Sequence, residues 1–590
     1  ELVGGPFRYL CTRNAHKMMK SKKLPVFALL LLCGFTSTGQ ISPMLQQRML
    51  RDVPIPVFVE FREQADFAGW KASWDKNRKA GFVLDRLQSV ALRSQSTVRR
   101  KLDAWKAPYL SFYLVNALRA ELSPWQIRDL AGHPEILQIA YDSPQSFHFP
   151  ARDEFPALAA RGPEFTWGLE RMGVAEVWDQ GIRGQHVVVA DADTGVRWDI
   201  PALRAQYRGN QGGAIEHRYN WYDAIHAISP LSNGPDNPCG LDLQEPCDDH
   251  GHGTHTAGTM AGSIPDLNFG VAPDASWVGC RNMERGNGAP STYLECFEFF
   301  LAPFDFDRSN PQPSLAPHVI NNSWYCSLEE GCDTAVFPAM ERAVLNLRIS
   351  GVVVVVSAGN DGAHCSTLSH VPAIYDKSFT VGSIRKDDSI SSFSSNGPVI
   401  NYGPVRIKPN VVAPGSDVVS MLPDSSLASW SGTSMAGPHA AGLVALIISA
   451  NPALEGQVEE IESIIERSAV QHIAPFDCWP SSGTDIPNNT FGHGVIHAGE
   501  AVRLAKNYVG NTDPESERWS LLPNPSYGYI VLEREFDEPV LVSVHTSTGQ
   551  VMLRELAREK RWVLETANWP TGLYFFSGPG GRIQPFVVVE

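Results

Sequence analysis

Near the start of the chain, between residues 50 and 145, short apolar runs alternate with helical patterns. The runs have the length and composition of strands, and the stretches between them repeat apolar residues at helical spacing. Strands are expected at 57–61, 110–115 and 136–141, and helices around 84–105 and 123–132. This mixture predicts a small α+β module, and its sequence contains no constellation of residues that carries chemistry.

From about residue 164 to 507 the apolar runs are no longer interrupted by polar positions. The runs at 187–190, 319–320 and 352–356 are β-branched or apolar throughout. Continuous runs of this kind are typical of parallel strands that are buried on both faces. The stretch 437–450 is rich in Gly and Ala at its start and apolar throughout, which predicts a central helix. The fold class predicted for this domain is α/β with a parallel sheet.

Two further segments differ in composition from these domains. Residues 146–163 are rich in Pro, Phe and charged residues, which is typical of an exposed connector. After a polar linker at 510–517, residues 518–590 show short strand patterns and Gly turns. That pattern predicts a small β-sandwich at the end of the chain.

Length, composition and charge narrow the class of protein. A chain of 590 residues exceeds the usual size of one domain, which agrees with several units. The hydrophobic share of 43% and the charged share of 19% are ordinary for a folded protein. The net charge of -15 disfavours binding to nucleic acid, which carries negative charge itself. No stretch of about 20 apolar residues is present, so no membrane span is expected.

The N-terminal region has the three parts of an export signal. A lysine-rich segment at 20–23 precedes an apolar run at 24–35, and small residues follow at Ser37 and Gly39. These features predict a signal peptide over residues 18–39, and the residues before it are expected to be translated upstream sequence. A short buried helix is the alternative, which the lysines at the chain end disfavour.

Cysteine usage agrees with export. Eight of the ten cysteines lie between residues 239 and 478, and the other two precede residue 40. An even number within one domain of an exported chain predicts disulfides, with free buried thiols as the alternative. Metal ligation is disfavoured because the chain has no C-x-x-C pair.

The cysteine spacing favours two pairs. Cys239–Cys247 and Cys326–Cys332 would close short loops, which form readily. The remaining pairs Cys280–Cys296 and Cys365–Cys478 are one of several possible connectivities.

Three motifs in the α/β domain carry candidate chemistry. Asp193-Thr194-Gly195 follows the strand run at 187–190, where α/β sheets place their sites, although a turn uses the same residues. His250, His252 and His255 stand at i, i+2 and i+5 with no Glu between them, which is unlike the helical zinc motif.

The third motif places Ser434 at the start of the predicted central helix. There a backbone amide and the helix dipole favour negative charge on a carbonyl oxygen under attack. A simple N-cap serine is the alternative interpretation.

The motifs D-T-G, H-G-T-H-x-A-G and G-T-S-M-A-x-P-H occur in this order across one α/β domain. Together they resemble the subtilisin family of serine proteases, whose triad residues follow in the order Asp, His, Ser. The resemblance implies that Ser434 is the nucleophile, that His252 is the general base, and that Asp193 orients the imidazole. Asp191 is an alternative to Asp193, since a strand points both to the same face.

The resemblance also implies an oxyanion hole and substrate-binding segments. Asn360 follows the run at 352–356 and is expected to donate its side-chain amide to the oxyanion, although an isolated Gly-Asn pair is also typical of a turn. Tyr325 stands where many subtilisins have Gly, so it either narrows the first pocket or points away in the loop pinned by Cys326. Substrate contacts are expected at Met283, Gly286, Gly288, Ser323, Trp324, Tyr325, Ser357, Ala358 and Gly359.

The domain sequence looks most like the relatives of bacillopeptidase F. The matching segments are 189–198, 280–283 and 321–324. Asp191 stands where this subgroup has Asn, and Ile200-Pro201 stands where its usual text is His-Pro. The resemblance implies that structural calcium is possible, but the sequence does not identify a set of calcium ligands, and no other cofactor is expected.

The resemblance extends to both flanks of the α/β domain at 164–509. Residues 40–163 resemble an inhibitory prodomain with its connector, whose tail lies in the cleft and is cut on maturation. Residues 518–590 resemble a type IX secretion sorting domain, which implies export through the periplasm of a Gram-negative cell to the surface or medium. The matching segments are 522–525, 547–551 and 572–574.

Two hypotheses follow from these patterns. The first is a secreted serine endopeptidase that hydrolyses protein or peptide substrates through an acyl-enzyme and is made as a self-processed zymogen. The second is a catalytically inactive subtilisin-like adhesin or scaffold. The presence of Asp193, His252, Asn360 and Ser434 favours the first.

Overall fold

The computed structural model describes most of the chain from residue 39 onwards. The described residues are 39–147, 149, 151–154, 165–232, 237–509, 520–522, 525–533, 540–546, 550–559, 561–577 and 583–589. The predicted signal peptide up to residue 38, residues 155–163 of the connector, and the linker at 510–517 lie outside them.

The N-terminal module is a five-stranded sheet with helices on both faces. Its strands have the order β1-β5-β2-β4-β3. One face of the sheet shares a core with α1, α3 and α4, whereas α2 and the other face pack against the following domain. The elements are β1 (Gln40–Ile41), α1 (Pro43–Arg48), β2 (Ile55–Phe61), α2 (Lys76–Ser94), α3 (Ser96–Trp105), β3 (Tyr109–Phe112), β4 (Ala117–Leu122), α4 (Pro124–Ala131) and β5 (Ile136–Tyr141).

The second domain is built on a seven-stranded parallel sheet of order β15-β14-β13-β12-β8-β10-β9, which confirms the predicted α/β class. Its strands, after β6 (Gln145–Ser146) and β7 (Ala151–Glu154) of the connector, are β8 (Val188–Asp193), β9 (Trp221–Asp223), β10 (Ser276–Arg281), β11 (Asn287–Gly288), β12 (Val319–Asn322), β13 (Val353–Ser357), β14 (Phe379–Ile384), β15 (Val411–Pro414), β16 (Val418–Met421) and β17 (Leu427–Ser431). Its helices are α5 (Trp167–Met172), α6 (Val174–Trp178), α7 (Pro201–Arg204), α8 (His252–Ala261), α9 (Pro290–Leu301), α10 (Phe337–Ile349), α11 (Thr433–Ala450), α12 (Val458–Ser468) and α13 (Ala498–Lys506).

Helix α11 runs through the centre of this domain. It packs against α8, α13 and the strands β12 to β15, and its residues from Thr433 to Ile448 are buried. Within the described part of the chain, it is the helix long and apolar enough to cross a membrane, but it is 89% buried inside the protein. Its apolar composition therefore follows from its place in the core.

The described part of the connector is paired with the second domain, whereas its composition predicted an exposed segment. Strand β6 pairs antiparallel with β11, and β7 pairs antiparallel with β17. Phe147, between the two, is only 4% exposed. The edges of β11 and β17 supply the backbone partners that a composition-based argument cannot see.

The C-terminal unit is a β-sandwich, as predicted. One sheet has the order β18-β19-β22 and the other β21-β20-β23-β24, and both contribute residues to one apolar core. The strands are β18 (Ser520–Leu522), β19 (Tyr529–Glu533), β20 (Val540–Thr546), β21 (Val551–Ala557), β22 (Arg561–Glu565), β23 (Gly572–Ser577) and β24 (Ile583–Val588).

The structure contains four disulfides within the second domain. They join Cys239 to Cys247, Cys280 to Cys296, Cys326 to Cys332, and Cys365 to Cys478. These are the same four pairs as those expected from the sequence. The first and third close short loops near the motif residues, and the fourth ties the segment after Asn360 to residues before α13.

Candidate active site

The end of β8 and the start of α8 bring Asp193 and His252 together. Both side chains are fully buried, and His252 Nδ1 lies 2.8 Å from each carboxylate oxygen of Asp193. The backbone amide of Thr194 donates to Asp193 Oδ1 at 2.7 Å, which fixes the carboxylate at the strand end. Gly253 allows this approach, because a Cβ there would lie 2.0 Å from the carbonyl oxygen of Gly195.

Asp191 has different partners from Asp193. Its Oδ1 accepts from the Asn321 amide and its Oδ2 from the Thr256 hydroxyl, each at 3.0 Å. Asp193 is therefore the carboxylate at His252, and Asp191 joins β8 to β12 and α8.

Ser434 is the second residue of α11, where the free backbone amides of the helix start lie. Its hydroxyl donates to the carbonyl oxygen of Ser323 at 3.3 Å, and the Ser323 hydroxyl donates to the Ser434 carbonyl at 2.9 Å. Within the described residues, His252 Nε2 has no hydrogen-bond partner. The serine–histidine hydrogen bond is therefore not formed while the connector occupies the site; such bonds often tighten only with substrate.

Asn360 is anchored by its side-chain oxygen. Asn360 Oδ1 accepts from the backbone amide of Thr433 at 2.9 Å and from the Thr433 hydroxyl at 3.0 Å. This leaves the Asn360 amide nitrogen as the group that can donate to a ligand beside the start of α11. The arrangement matches what an oxyanion hole requires, namely a fixed donor near the proposed nucleophile.

The connector covers this site. The amide of Phe147 donates to the Gly286 carbonyl at 2.8 Å, so β6 and Phe147 continue along the segment expected to bind substrate. The ring centres of Phe147 and Phe149 lie 5.8 and 5.2 Å from that of His252, and Phe149 stacks on His250 at 3.5 Å. Trp430 of β17 lies 5.8 Å from His252 on another side.

Burial controls the electrostatics of the pair. It lowers the pKa of His252 to about 3 and raises the pKa of Asp193 well above its usual range. Charge on either partner is therefore disfavoured in the covered site. Burial likewise raises the pKa of Asp191 well above its usual range, an effect that the neighbouring Asp193 increases.

The residues expected to contact substrate divide into two groups. Gly286 lies against Phe149, where a Cβ would come within 2.3 Å of the ring. The ring centres of Tyr325 and Phe147 lie 5.0 Å apart. Met283 and Trp324 are instead fully buried in the core, and Trp324 stacks on Tyr293. Substrate contacts by these two residues would therefore involve their backbone alone.

Tyr325 lies in the cleft and does not point away from it. Its ring stacks on His370 at 4.8 Å, and His370 Nδ1 lies 3.3 Å from Asp361, the residue after Asn360. Burial lowers the pKa of His370, against the raising effect of Asp361 and Glu329. No sequence pattern singled out His370, because it belongs to none of the motifs and the fold brings it to Asp361.

The roles of several other residues at the site could not be predicted from local sequence patterns, even where the residue lies within a motif. Thr433 anchors Asn360, Trp430 stacks on His255, and Asp248 bonds to Thr194. His255 is buried against Trp430, and His250 is stacked on Phe149. Across the described residues, no group of three or more His, Cys, Asp or Glu side chains is placed to hold a metal ion.

Residues 184–494 match the Subtilase family, over the part of the chain that carries Asp193, His252, Asn360 and Ser434. This chain belongs to the subtilase family. A relative, bacillopeptidase F of Bacillus subtilis strain 168, is 32% identical over 459 residues, which is 74% of this chain. The serine protease AprX of the same organism is 30% identical over 44% of this chain.

The subtilase also shares its fold with a solved structure. The epidermin leader peptide processing serine protease of Staphylococcus aureus, solved as a serine-to-alanine mutant, matches with a TM-score of 0.56 at 16% identity. The match covers 77% of this chain and 99% of that one. The chain spans only 29% of the length of bacillopeptidase F and 59% of that of AprX.

Proposed function

We propose that this subtilase is a serine endopeptidase that hydrolyses peptide bonds of protein or peptide substrates. The observation that carries the proposal is the buried His252–Asp193 pair beside the start of α11, where Ser434 and the anchored Asn360 lie. Membership of the subtilase family supports it.

In the proposed reaction, Ser434 Oγ attacks the carbonyl carbon of the scissile bond while His252 Nε2 takes its proton. Asp193 holds the imidazole by Nδ1 and stabilises the imidazolium that forms. Asn360 Nδ2 and the Ser434 backbone amide stabilise the oxyanion. His252 then gives the proton to the leaving amine, and water hydrolyses the acyl-enzyme by the same steps.

We also propose that residues 40–163 form an inhibitory prodomain that the enzyme removes itself. The support is the connector, whose strands β6 and β7 pair on either side of the site and whose Phe147 and Phe149 cover His252. Strand β6 ends at Ser146 and β7 begins at Ala151, so we propose that the first cut falls within residues 147–151.

The proposed export route rests on both ends of the chain. The lysine-rich and apolar segments at 20–35 support a signal peptide, and the C-terminal sandwich supports a type IX sorting domain. The disulfides agree with an oxidising compartment. On this proposal the mature enzyme acts at the surface of a Gram-negative cell or in the medium.

The decisive experiment replaces Ser434 by Ala in the full chain. We expect the variant to remain full length and to lose casein hydrolysis, while the wild type is cut and active. Labelling of the wild type by a fluorophosphonate, mapped to Ser434, tests the nucleophile directly. As a control for folding, the circular dichroism spectrum of Ser434→Ala should be identical to that of the uncut wild-type precursor.

Two outcomes would overturn the proposal. Peptide hydrolysis by Ser434→Ala would show that the nucleophile is another residue. A folded wild type with neither hydrolysis nor labelling, after removal of residues 40–163, would show an inactive scaffold.

A further inference from the structure

A second carboxylate, Asp248, lies in the loop before α8 and accepts five hydrogen bonds. Its Oδ1 accepts from the Thr194 hydroxyl at 2.9 Å and from the amides of His250 and Gly251 at 3.0 and 2.7 Å. Its Oδ2 accepts from the Thr254 amide at 2.8 Å and the Thr254 hydroxyl at 2.6 Å. A carboxylate with this many donors has a fixed position.

These bonds join the two elements that carry Asp193 and His252. Thr194 follows Asp193 directly, and its hydroxyl also accepts from the amide of Gly253 at 3.1 Å. Gly253 and Thr254 belong to the first turn of α8. Asp248 and Thr194 therefore tie that turn to the end of β8, and the His252–Asp193 distance depends on this tie.

The position of His252 creates an electrostatic problem that Asp248 offsets. His252 is the first residue of a ten-residue helix, whose N-terminal amides carry partial positive charge. That charge disfavours the imidazolium that forms during proton transfer. Asp248 bonds to amides at this same helix end, and its negative charge raises the pKa of His252, against the lowering by burial.

We propose that Asp248 is a positioning residue of this subtilase. It holds His252 against Asp193 and stabilises the imidazolium by its charge. The inference rests on the proposed function, because it concerns the proton transfer of that reaction.

Several other ionisable groups surround His252. Asp193 and Asp191 come from β8, Asp249 and His250 from the loop, and His255 from α8 itself. Trp430 of β17 and the connector rings of Phe147 and Phe149 are uncharged. Burial raises the pKa of Asp249 to about 8, despite nearby Arg281, so Asp249 requires its own control variant.

The test compares three variants of the mature enzyme by the pH dependence of kcat/KM on one peptide substrate. Asp248→Asn keeps the shape and removes the charge. We expect kcat to fall at least tenfold with KM little changed. The acid limb of the kcat/KM pH profile, where activity is lost as the pH falls, should move about half a pH unit lower. Thr254→Val removes the hydrogen bond from the Thr254 hydroxyl to Asp248 but keeps the backbone amide bond and the charge, so it lowers kcat without moving the acid limb. Asp249→Asn leaves the acid limb in place.

A purely structural role would lower Tm in Asp248→Asn and Thr254→Val alike and leave both acid limbs unmoved; that result overturns the proposal. An acid limb that moves in Asp249→Asn by as much as in Asp248→Asn does so as well. If Asp248→Asn yields no folded protein, Thr194→Val and Thr254→Val test the proposal instead. An unchanged kcat in both would contradict the role of the hydrogen bonds that join α8 to the end of β8. Loss of the proposed function itself would be seen earlier, as an inactive wild type.

Discussion

At the scale of single residues, Asn360 depends on one anchor. The backbone amide and the hydroxyl of Thr433 both donate to the side-chain oxygen of Asn360, so the amide nitrogen is held in position before any substrate binds. Preset donors stabilise a transition state without reorganising during the reaction. This geometry gives Asn360 a role that differs from that of the reacting groups, since its removal leaves the proton transfer intact.

We therefore expect Asn360→Ala to lower kcat by about 100- to 1,000-fold with little change in KM. Steady-state kinetics of the mature enzyme would measure both constants. Asn360→Asp is a matched control, because it keeps the oxygen that Thr433 binds but loses the donor, and it is expected to be as slow. A loss below about tenfold in Asn360→Ala would place the oxyanion donor elsewhere.

On the proposed role of the connector as an inhibitor, the burial of His252 beside Phe147 and Phe149 predicts a pH dependence of inhibition. The pKa of His252 is lowered to about 3 in the covered site, and release of the connector returns it towards its ordinary value near 6.5. The released enzyme therefore binds a proton that the inhibited complex cannot hold. The complex is stable above about pH 6.5 and weakens as the pH falls below it.

Activity should therefore appear faster from the cleaved complex at pH 5 than at pH 7.5, with inhibitor affinity falling up to about tenfold per pH unit. Progress curves after dilution at each pH, assayed at one common pH, would measure this. Phe147→Ala with Phe149→Ala should weaken inhibition at both values and flatten the difference. An affinity independent of pH would contradict the role of the buried imidazole.

How far the sequence predicts such residues depends on where their partners lie. Asp193, His252 and Ser434 sit in motifs that can be read locally. The Thr194–Asp248 bond joins residues 54 positions apart, and the Asn360–Thr433 bond joins residues 73 apart. Short sequence patterns cannot indicate such pairs, because the fold alone brings them together.

At the scale of elements, three adjacent buried strands of the parallel sheet were predicted from the sequence, whereas β9, β10, β14, β15 and the connector strands were not. Strands β8, β12 and β13 are apolar enough to be recognised from their own residues. The predicted strand at 110–115 ends at Phe112, because the amides of Tyr113 and Leu114 donate to the Glu298 carboxylate of α9. Strands β6 and β7 are defined by their partners and not by their composition.

The pairing of β7 with β17 predicts how substrates bind beyond the scissile bond. Four residue pairs, from Ala151 with Ser431 to Glu154 with Ala428, form an antiparallel ladder just before Ser434. Once the connector has left, the edge of β17 is free to receive a substrate strand in the same way. Each backbone hydrogen bond contributes about 0.5–1.5 kcal/mol.

Peptides with five residues after the scissile bond should therefore have kcat/KM at least about tenfold higher than peptides with one. A quenched fluorescent series of one sequence, lengthened a residue at a time, would measure the gain. N-methylation of the backbone in this segment is the control, since it removes a hydrogen bond and keeps the side chains. Equal rates across the series would rule out strand addition on β17.

At the scale of the whole molecule, the proposed prodomain contacts the second domain through polar groups as well as through its apolar face. Lys76 and Lys79 of α2 are almost fully buried and donate to the carbonyls of Ala316 at 2.6 Å and Gly456 at 2.8 Å. Burial lowers the pKa of both to about 8. The sequence predicted a helix here only around 84–105, so it missed the first turns of α2, and it gave no sign of this interface because lysines ordinarily face solvent.

The C-terminal sandwich has an apolar core of its own, separate from that of the subtilase domain. Its core is formed by its own residues, from Ile530 to Val588, within the described part of the chain. A unit with a separate core and a polar linker can fold independently. One possible role for such a unit is to act as a sorting domain for secretion, and the other is to bind carbohydrate, since β-sandwiches have many functions.

Deletion of residues 518–590 distinguishes these roles. We expect the truncated enzyme, once purified, to hydrolyse peptides with kcat/KM within about twofold of the full chain, because the proposed site and its disulfides lie before residue 490. In a Gram-negative host with type IX secretion, the truncated protein should accumulate in the periplasm. Fractionation and immunoblotting would measure this, with Ser434→Ala in the full chain as the control for export without activity. Normal arrival of the truncated protein at the surface or in the medium would exclude the sorting role.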